Sequence, residues 1–190
     1  TPKPSSAASD VYKRQDKDTF NLDVNCARKL ISEKTRAIIP VHLFGQCANM
    51  DDVLSFAKDY NLYVIEDSAQ SLGASYTLKN GKKLFSGTIG DIGTTSFYPS
   101  KNLGAYGDGG AIITNNEFLA NKCRMIANHG RLKKFDHIYE GRNSRLDSIQ
   151  AGILNVKLNY LDEWLEKRNN VARLYKENLS EVNKILENIN

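Results

Sequence analysis

The sequence predicts an α/β domain built on a parallel β-sheet, and three observations lead to that prediction. Two apolar runs, residues 37–44 and 62–67, have the composition of buried strands. Between them, residues 49–60 carry apolar side chains at the spacing of an amphipathic helix. A strand, a helix and a strand joined by short connections are typical of a right-handed βαβ unit, whose strands lie parallel.

The elements of the first half each have a local signal. Residues 23–32 are predicted to form a short helix. Its apolar side consists of Val24, Ala27, Leu30 and Ile31. Pro40 lies inside the first apolar run and has no N–H for a neighbouring strand, so it either weakens that strand or lies at a bulge. Asn49, with Asp52 three residues later, is predicted to cap the next helix.

The elements of the second half surround a glycine-rich turn. Residues 94–98 and 111–114 are predicted strands on either side of that turn. Asn116 is predicted to cap a helix after the second strand. A basic, glycine-containing loop is then predicted over residues 128–145.

The end of the chain is predicted to be one long helix. Ser144 and Asp147 have capping-box spacing, which indicates that the helix begins there. Its apolar stripe consists of Leu154, Leu158, Leu161, Leu165, Ala172, Tyr175 and Leu179. We interpret it as a helix packed on a neighbour, in preference to a coiled coil.

Composition and charge exclude several classes of function. A chain of 190 residues can bury one good core, and a charged fraction of 25% is ordinary for a soluble globular protein. The formal net charge is +4, and residues 1–15 carry about half of it, which leaves too little elsewhere to indicate nucleic-acid binding. No apolar run approaches the roughly 18 residues that span a bilayer. We therefore expect neither a nucleic-acid partner nor a membrane partner.

The first residues, the cysteines and the histidines bear on location and on metal binding. Residues 1–15 are polar, aperiodic and without the apolar core of a signal peptide. We interpret them as a disordered tail or a cloning or sequencing scar. Cys26, Cys47 and Cys123 are far apart, with no CxxC pair, which favours free thiols in the cytoplasm. The three histidines lack the spacing of metal ligands, so no metal site is predicted.

Residues 96–110 are the most informative part of the chain. They place Lys101 on a tight turn between Pro99 and a cluster of glycines. A lysine held close to other backbone is partly desolvated, which favours the uncharged, nucleophilic amine. On its own, a lysine in such a loop is more often a surface residue. The acidic end of the second strand, Glu66-Asp67, reverses that preference, because a lysine and a carboxylate both bind pyridoxal phosphate (PLP).

PLP requires a lysine that forms an imine, an acid beside the ring nitrogen and a cradle for the phosphate. Lys101 fits the first role and Asp67 the second, although a carboxylate at a strand end is equally often a helix cap or an ion-pair partner. Ser96 is a candidate phosphate ligand and Gln70 a candidate contact of the phenolic oxygen, but each is an ordinary loop residue if taken alone. The glycines do not indicate a dinucleotide site, because they lead into a strand.

Five motifs occur in the order and spacing of one family. They are Pro40-Val-His-Leu-Phe-Gly-Gln46, Val64-Ile-Glu-Asp-Ser-Ala-Gln70, Ser96-Phe-Tyr-Pro-Ser-Lys-Asn-Leu-Gly104, Gly107-Asp-Gly-Gly110 and Gly141-Arg-Asn-Ser-Arg-Leu-Asp-Ser-Ile-Gln-Ala151. Over about residues 18–180 the chain resembles the DegT/DnrJ/EryC1/StrS family of PLP-dependent sugar aminotransferases. The resemblance implies a three-layer α/β/α PLP transferase of fold type I with a mostly parallel sheet. Residues 16–145 would be part of its large domain, and residues 146–190 a long helix that leads toward a small domain.

The resemblance also implies roles for individual residues. It makes Lys101 the lysine that binds PLP as an imine, and Asp67 the partner of the pyridinium nitrogen. It makes Gln70 a contact of the ring oxygen, and Ser96 a phosphate ligand.

Three further residues match positions at or near the site. Asn143 matches an asparagine that reaches the phosphate in the partner subunit of a homodimer. Arg145 is implied to face the substrate, with a surface or capping arginine as an equal alternative. His42 lies near the cofactor in the family pattern, and a packed histidine at a strand end is almost as good an interpretation.

The function implied is transfer of an amino group from glutamate to a keto group of a nucleotide-linked sugar, for surface polysaccharide or related amino sugars. Two alternatives stay open. One is a PLP-dependent sugar dehydratase, in which a histidine replaces the lysine. The other is a truncated, non-catalytic relative, because family members are about twice as long. The phosphate-binding turn and the stacking aromatic of their N-terminal segment are not identified in this chain, and neither the sugar nor its aminated carbon is indicated.

Overall fold

The computed structural model describes residues 15–187, and the side chains of residues 15–180. Its strands are β1 (Ala37–Ile38), β2 (Tyr63–Asp67), β3 (Ser75–Thr77), β4 (Lys83–Phe85), β5 (Ile92–Ser96), β6 (Gly110–Ile113), β7 (Arg131–Lys133) and β8 (Asp136–His137). Its helices are α1 (Val24–Arg28), α2 (Met50–Asp59), α3 (Glu117–Ala127), α4 (Ser148–Leu158) and α5 (Leu161–Glu187). The tail predicted for residues 1–15 lies outside the described residues, except for Gln15, which forms an isolated bridge with Leu22.

The main sheet has the strand order β1-β2-β5-β6. β1 pairs with β2, and β2 with β5, in parallel, whereas β6 pairs with β5 antiparallel. Helix α2 connects β1 to β2 and contacts both, so the predicted βαβ unit is confirmed. Because β2 and β5 are parallel, their carboxyl ends meet at one edge of the sheet, where α/β proteins bind their ligands.

Strand β1 is shorter than the strand predicted over residues 37–44. Pro40 has no N–H, so the ladder ends before it, and its carbonyl oxygen accepts the N–H of Asp67 at 2.9 Å. Val41 forms only an isolated parallel bridge with Asp67, and Leu43–Gly45 is a 3₁₀ turn. The chain after Pro40 therefore stays beside the end of β2 without forming a strand.

The helix caps predicted at Asn49 and Asn116 are confirmed. Each side-chain oxygen accepts the backbone N–H three residues later, at 3.3 Å for Asn49 and at 3.1 Å for Asn116. The short helix predicted over residues 23–32 is also present, although α1 is only five residues long, with Asp23 as its N-cap. These local signals are reliable because both partners of each cap lie within one turn of chain.

The single long helix predicted after Ser144 is wrong, because two helices are present. Asp147 is the N-cap of α4, so Ser144 lies outside the helix. Asn159 ends α4, and its side-chain amide donates to two carbonyl groups of the preceding turn. The acidic first turn of α5, with Asp162 and Glu163, is typical of a new helix start. Neither α5 nor any other helix within residues 15–187 is long and apolar enough to cross a membrane.

Two antiparallel hairpins, β3-β4 and β7-β8, lie where no strand was predicted. The second falls within residues 128–145, which were predicted to be a loop. Their strands are only two or three residues long. Segments of that length are too short to show the alternation of apolar and polar residues by which strands are identified.

Two apolar clusters join these elements. The larger joins α1, α2, β1 and β2 through Val24, Ile38, Ala48, Met50, Val53, Phe56, Ala57 and Val64. The smaller joins the turn after β5 to α4 and α5 through Leu103, Ala105, Leu154 and Leu161. The predicted stripe is therefore buried near the start of α5, whereas Tyr175 and Leu179 are exposed among the described residues.

Gly93→Ala is expected to destabilise the fold, because the added Cβ would lie 2.0 Å from the carbonyl oxygen of Gly87. The expected loss in the free energy of unfolding is about 1–3 kcal/mol. Gly152→Ala is the matched control: that position in α4 has open space, and alanine should stabilise the helix by up to about 1 kcal/mol. Urea unfolding monitored by circular dichroism measures the free energy of unfolding of both variants. A Gly93→Ala variant as stable as the wild type would contradict the close approach of Gly87 to β5.

Candidate active site

Two neighbouring strands end in polar side chains at the same edge of the sheet. β2 ends at Asp67 and β5 at Ser96, and their register places Asp67 opposite Thr94. The Asp67 backbone is also bonded on its other side. It donates its N–H to Pro40 at 2.9 Å and accepts the N–H of His42 at 3.0 Å. Asp67 is therefore held between β5 and the chain that follows β1.

The carboxylate of Asp67 has one oxygen engaged and one open. Oδ1 accepts the N–H of Ala69 at 3.1 Å, which closes the turn after β2. Oδ2 makes no hydrogen bond with the residues that the structure describes, and the side chain is half-buried. A carboxylate with an open oxygen in such surroundings is suited to bind a protonated ring nitrogen.

A cavity of about 740 Å³ opens at this edge. Lys101, Ser96 and Gln70 line it, together with the turn after β2 and one face of α5. Its volume falls within the roughly 300–1,000 Å³ of small-molecule sites. Asp67 is not among the lining residues, but its hydrogen-bond partner Ala69 is.

Lys101 lies in a turn whose backbone is closed by two hydrogen bonds. Its own N–H donates to the carbonyl of Tyr98 at 2.8 Å, and the N–H of Ala105 donates across the turn at 2.7 Å. The turn requires glycine at Gly104, because a Cβ there would lie 2.3 Å from the carbonyl oxygen of Pro99. The Lys101 side chain is half-buried, as expected for a lysine held near other backbone.

Ser96 and Gln70 present hydrogen-bond donors to the same cavity. Ser96 Oγ accepts the N–H of Tyr98 at 3.2 Å, so its own hydrogen is left for a ligand. Gln70 Oε1 accepts the N–H of Phe44 at 2.9 Å, which leaves its amide N–H groups as donors. Oxygen atoms of a phosphate or a phenol accept both kinds of donor.

Phe44 lines the cavity, although the sequence predicts it as the end of a buried strand. Its side chain is 79% exposed, and its φ of 55° is left-handed, which is uncommon for a bulky residue. The hydrogen bond from its N–H to Gln70 holds this conformation. The available signal was Gly45, which indicates a sharp turn directly after the apolar run.

One face of α5 covers the cavity. Leu165, Arg168, Asn169 and Ala172 line it at helical spacing. Leu165 docks the helix on Gly73, where a Cβ would lie 2.3 Å from the leucine side chain. The apolar stripe indicated this face, but Arg168 and Asn169 carried no signal, because polar residues are ordinary on an exposed helix.

Near the end of β2, the buried carboxylate of Glu66 binds four donors. Oε2 accepts from His42 Nε2 at 2.8 Å and from the N–H of Gly87 at 2.9 Å. Oε1 accepts the N–H groups of Ile89 at 2.6 Å and Gly90 at 2.7 Å. Glu66 therefore attaches the loop before β5 directly to β2.

These surroundings shift the pKa of Glu66 in opposing directions. Burial raises the pKa, because it disfavours the charged form. The hydrogen bonds from His42 and from three backbone N–H groups outweigh burial and hold the pKa below the ordinary value of 4.5. Glu66 is therefore an anion at neutral pH, with its charge satisfied inside the fold.

His42 is buried, and both of its ring nitrogens are used inside the fold. The N–H of Ala48 donates to Nδ1 at 3.1 Å, so Nε2 carries the hydrogen that is donated to Glu66. Of the two interpretations of His42, this geometry favours the packed histidine over the cofactor contact. Its side chain bonds Glu66, and its backbone N–H bonds the neighbouring Asp67 directly.

Asn143 and Arg145 are not among the residues that line the cavity. Asn143 forms an isolated antiparallel bridge with Asn128, and its Oδ1 accepts from Arg145 Nε at 3.0 Å. The N–H of Arg142 donates to the carbonyl of Ile126 at 2.8 Å, which fixes the backbone beside α3. Asn143 and Arg145 are therefore exposed on a well-bonded loop.

Comparison with known proteins identifies the family. Residues 6–189 match the model of the DegT/DnrJ/EryC1/StrS aminotransferase family. The chain belongs to this family. The match includes residues 6–15, which the sequence led us to set aside as a tail.

Three similar proteins illustrate the DegT/DnrJ/EryC1/StrS relationship. The chain is 49% identical over 176 residues to the "Pleiotropic regulatory protein" of Geobacillus stearothermophilus, covering 93% of the chain and 46% of the relative. It is 47% identical over 175 residues to the UDP-2-acetamido-2-deoxy-3-oxo-D-glucuronate aminotransferase of Pseudomonas aeruginosa, covering 92% and 47%. The structure of S. venezuelae DesV in complex with a ketimine intermediate has a TM-score of 0.80 and 40% identity, covering 87% of this chain and 43% of that one. The chain therefore spans about half the length of the relatives it matches.

The fold class predicted for a DegT/DnrJ/EryC1/StrS member is confirmed. The solved relatives are PLP-dependent aminotransferases of fold type I, and the chain has a corresponding partial domain, a mixed sheet with helices. The motifs were sufficient for this identification because they include both strand ends of the site and the turn between β5 and β6.

Glu66→Gln is expected to lower the free energy of unfolding at neutral pH by about 3 kcal/mol, because an amide leaves buried donors unpaired. Glu163→Gln is the matched control. Glu163 is exposed and pairs with Lys167 on α5, so its loss should cost less than about 1 kcal/mol. Denaturant unfolding compares the two variants with the wild type.

Acid should reduce the difference between wild type and Glu66→Gln. The folded pKa of Glu66 lies below its unfolded value, so its contribution is full above about pH 4.5 and is lost as pH falls through the folded pKa. The wild type should therefore lose more stability than the variant between about pH 6 and pH 3. Parallel pH profiles would contradict an ionised, buried Glu66.

Proposed function

We propose that this chain is part of a PLP-dependent aminotransferase that moves an amino group from glutamate to a keto group of a nucleotide-linked sugar. The observation that carries the proposal is the cavity shared by Lys101, Ser96 and Gln70, at the edge where β2 ends in Asp67. The name of the P. aeruginosa relative describes an aminotransferase of a UDP-linked keto sugar. Synthesis of surface polysaccharide or related amino sugars is the proposed context.

The groups around the cavity fit PLP in their chemistry. Lys101 offers an amine to the aldehyde, and Asp67 offers the open Oδ2 to the ring nitrogen. Gln70 offers an amide N–H to the phenolic oxygen, and Ser96 offers an O–H to the phosphate. When bound, PLP supplies an electron-withdrawing ring that stabilises negative charge next to the amino group being transferred.

Lys101 is the proposed covalent partner and the proposed base. Its turn holds it half-buried beside backbone, at the cavity where the cofactor would bind. As a free amine, Lys101 Nζ is suited to take the proton from the Cα of glutamate. Its place on a turn closed by two hydrogen bonds fixes the direction from which the proton is taken.

Asp67 is proposed to keep the ring nitrogen protonated. A carboxylate favours the charged form of a nitrogen base that it contacts. The Asp67 backbone is bonded to Pro40 and His42, and Glu66 bonds the strand to the next loop. The carboxylate is therefore in place before a ligand arrives, and little reorganisation is needed.

Arg145 and the surrounding basic residues are proposed to bind the anionic part of the nucleotide sugar. These residues are Arg131, Lys133, Lys134, Arg142 and Arg145. Guanidinium groups suit a diphosphate, since they can donate two parallel hydrogen bonds. Within the described part of the chain, Arg145 donates only through Nε, to Asn143, so its terminal nitrogens remain for a substrate.

Two copies of the chain are proposed to share their active sites. Asn143 is exposed and does not line the cavity of its own chain. The family pattern gives it a contact with the phosphate in the partner subunit. A two-fold dimer would satisfy this arrangement, because each subunit would complete the other's site.

The experiments below also distinguish this function from two alternatives. A sugar dehydratase of the same family would have a histidine at the position of Lys101, so the lysine disfavours it. A non-catalytic protein is the second alternative, and the G. stearothermophilus relative is named for regulation and not for an enzymatic activity.

Lys101→Ala is expected to abolish covalent binding of PLP in the intact gene product. The wild type should show a visible absorbance band with PLP that glutamate removes, and should aminate a member of a panel of keto sugar nucleotides. The variant should lack the band and lose turnover by more than about 1,000-fold. Lys58→Ala, an exposed lysine in α2, is the control and should keep both.

Turnover by Lys101→Ala near the wild-type rate would contradict the proposal. A wild type that binds no PLP would favour the non-catalytic alternative. Far-ultraviolet circular dichroism checks that the variant is folded, since a half-buried lysine in a turn contributes little packing.

Subunit exchange tests the shared site. Asn143→Ala and Lys101→Ala variants, each inactive alone, should regain activity when mixed. One site of each hybrid dimer would carry both defects and the other neither, so about a quarter of wild-type activity is expected after random exchange. Differently tagged subunits verify the exchange. If hybrids form and activity stays at the level of the separate variants, Asn143 acts within its own chain.

A further inference from the structure

We infer that Gln150 and Lys157, both on α4, are positioning residues for Lys101. They contact Gly104 at the end of the lysine turn and Tyr106 and Gly107 directly after it. We call Gln150 and Lys157 the α4 clamp. The inference rests on the proposed function, in which Lys101 captures PLP, and adds two residues that lie outside the cavity.

Gln150 forms the first contact of the α4 clamp. Its Oε1 accepts the backbone N–H of Tyr106 at 2.8 Å. Gly107 lies against the same side chain, and a Cβ at that position would approach Gln150 Nε2 to 3.1 Å. The glycine therefore allows the amide of Gln150 to lie close to the backbone of the segment.

Lys157 forms the second contact. Its Nζ donates to the carbonyl oxygen of Gly104 at 2.6 Å and lies 4.7 Å from the centre of the Tyr106 ring. Gly104 is buried and Lys157 is half-buried, so the charged hydrogen bond is partly shielded from water and correspondingly stronger. The ring adds a cation–π contact on the same ammonium group.

The two clamp residues lie on the same side of α4. They are seven residues apart, which is two helical turns, and Leu154 lies between them. Leu154 is buried in a cluster with Leu103 and Ala105. Along α4, Gln150 makes a polar contact, Leu154 an apolar contact and Lys157 a second polar contact with the residues just after Lys101.

These contacts reach Lys101 through the backbone. Ala105 donates across the lysine turn to the carbonyl of Phe97, and Lys101 donates to Tyr98, so residues 97–105 form one closed unit. The segment that follows is rich in glycine, which has more conformational freedom to lose than any other residue. Without the clamp, Tyr106, Gly107 and the glycines after them would sample more conformations, the end of the turn at Gly104 would be held less firmly, and the direction of Lys101 would vary.

A purely structural clamp would change stability alone, whereas a positioning clamp also changes the reactivity of Lys101. The reaction that reports this is capture of PLP by the apoprotein. Lys101 Nζ bonds to the aldehyde carbon as water leaves, and borohydride then reduces the C=N bond to a stable secondary amine. Mass spectrometry after timed reduction gives the rate of capture and locates the product on Lys101.

Lys157→Met and Gln150→Leu are both expected to slow capture at Lys101 by about tenfold in the intact gene product. Gln150→Glu keeps the acceptor for Tyr106 N–H and should capture at nearly the wild-type rate. Lys122→Met is the matched control, because Lys122 also lies over aromatic rings, 5.8 Å from Phe118 and 5.1 Å from Tyr139, but is remote in sequence from the lysine turn.

Hydrogen exchange supplies a readout that does not involve PLP. The Tyr106 amide should exchange faster in Gln150→Leu than in wild type or Gln150→Glu. If Lys157→Met fails to fold, the Leu and Glu variants of Gln150 decide the question by themselves.

Each result has a defined meaning. Equal capture rates in wild type, Lys157→Met and Gln150→Leu would overturn the α4 clamp and leave the proposed function intact. Absence of PLP on Lys101 in the wild type would overturn the proposed function itself. Slower capture in Lys122→Met as well would show a general loss of lysine–aromatic packing and would also overturn the clamp.

Discussion

The candidate site depends most on the hydrogen bonds made by the buried carboxylate of Glu66. This carboxylate replaces water with four donors, one from an imidazole and three from backbone N–H groups. The attachment is reciprocal, because Asp91 Oδ2, just beyond the same loop, accepts the N–H of Val64 at 2.8 Å. β2 and the loop that leads into β5 therefore move as one unit, and Asp67 keeps its position relative to Ser96.

The lysine side of the site is built on a different kind of interaction. Lys101 lies in a turn held by close backbone approach at Gly104 and by burial of Leu103 against Leu154 and Leu161. Such packing is sensitive to side-chain volume and insensitive to pH. The acid side depends on an ionised, fully bonded carboxylate and responds to pH. The stability of the acid side of the site should therefore vary with pH, whereas the packing around the lysine turn should not.

Much of the fold could be predicted from local patterns in the sequence. The βαβ unit and the caps at Asn49 and Asn116 depend on residues within a turn or two of chain, and all are present. Lys101, Ser96 and Gln70 could be predicted to lie near one another, because each lies at or just after the end of one of two parallel strands, β2 and β5. The function of those side chains remains a prediction.

Features that depend on contacts between distant residues could not be predicted. The backbone conformation of Phe44 depends on a hydrogen bond to Gln70. The packed position of His42 depends on hydrogen bonds to Glu66 and Ala48. The start of α5 was obscured because the apolar stripe continues across the break at Asn159. Regular spacing of apolar residues identifies a buried face, but it does not reveal where one helix ends and the next begins.

The order of the two acids on β2 has a consequence for how the strand can evolve. Successive residues of a strand point to opposite faces, so Glu66 turns toward the loop before β5 while Asp67 points away from it. Deleting or inserting one residue within β2, before the two acids, would move each acid to the opposite face. An insertion would put Glu66 in the place of Asp67 at the sheet edge. A deletion would put Asp67 in the place of Glu66, where its shorter side chain would not reach the four donors. The adjacent acids therefore fix the length of β2 before them more strictly than its composition.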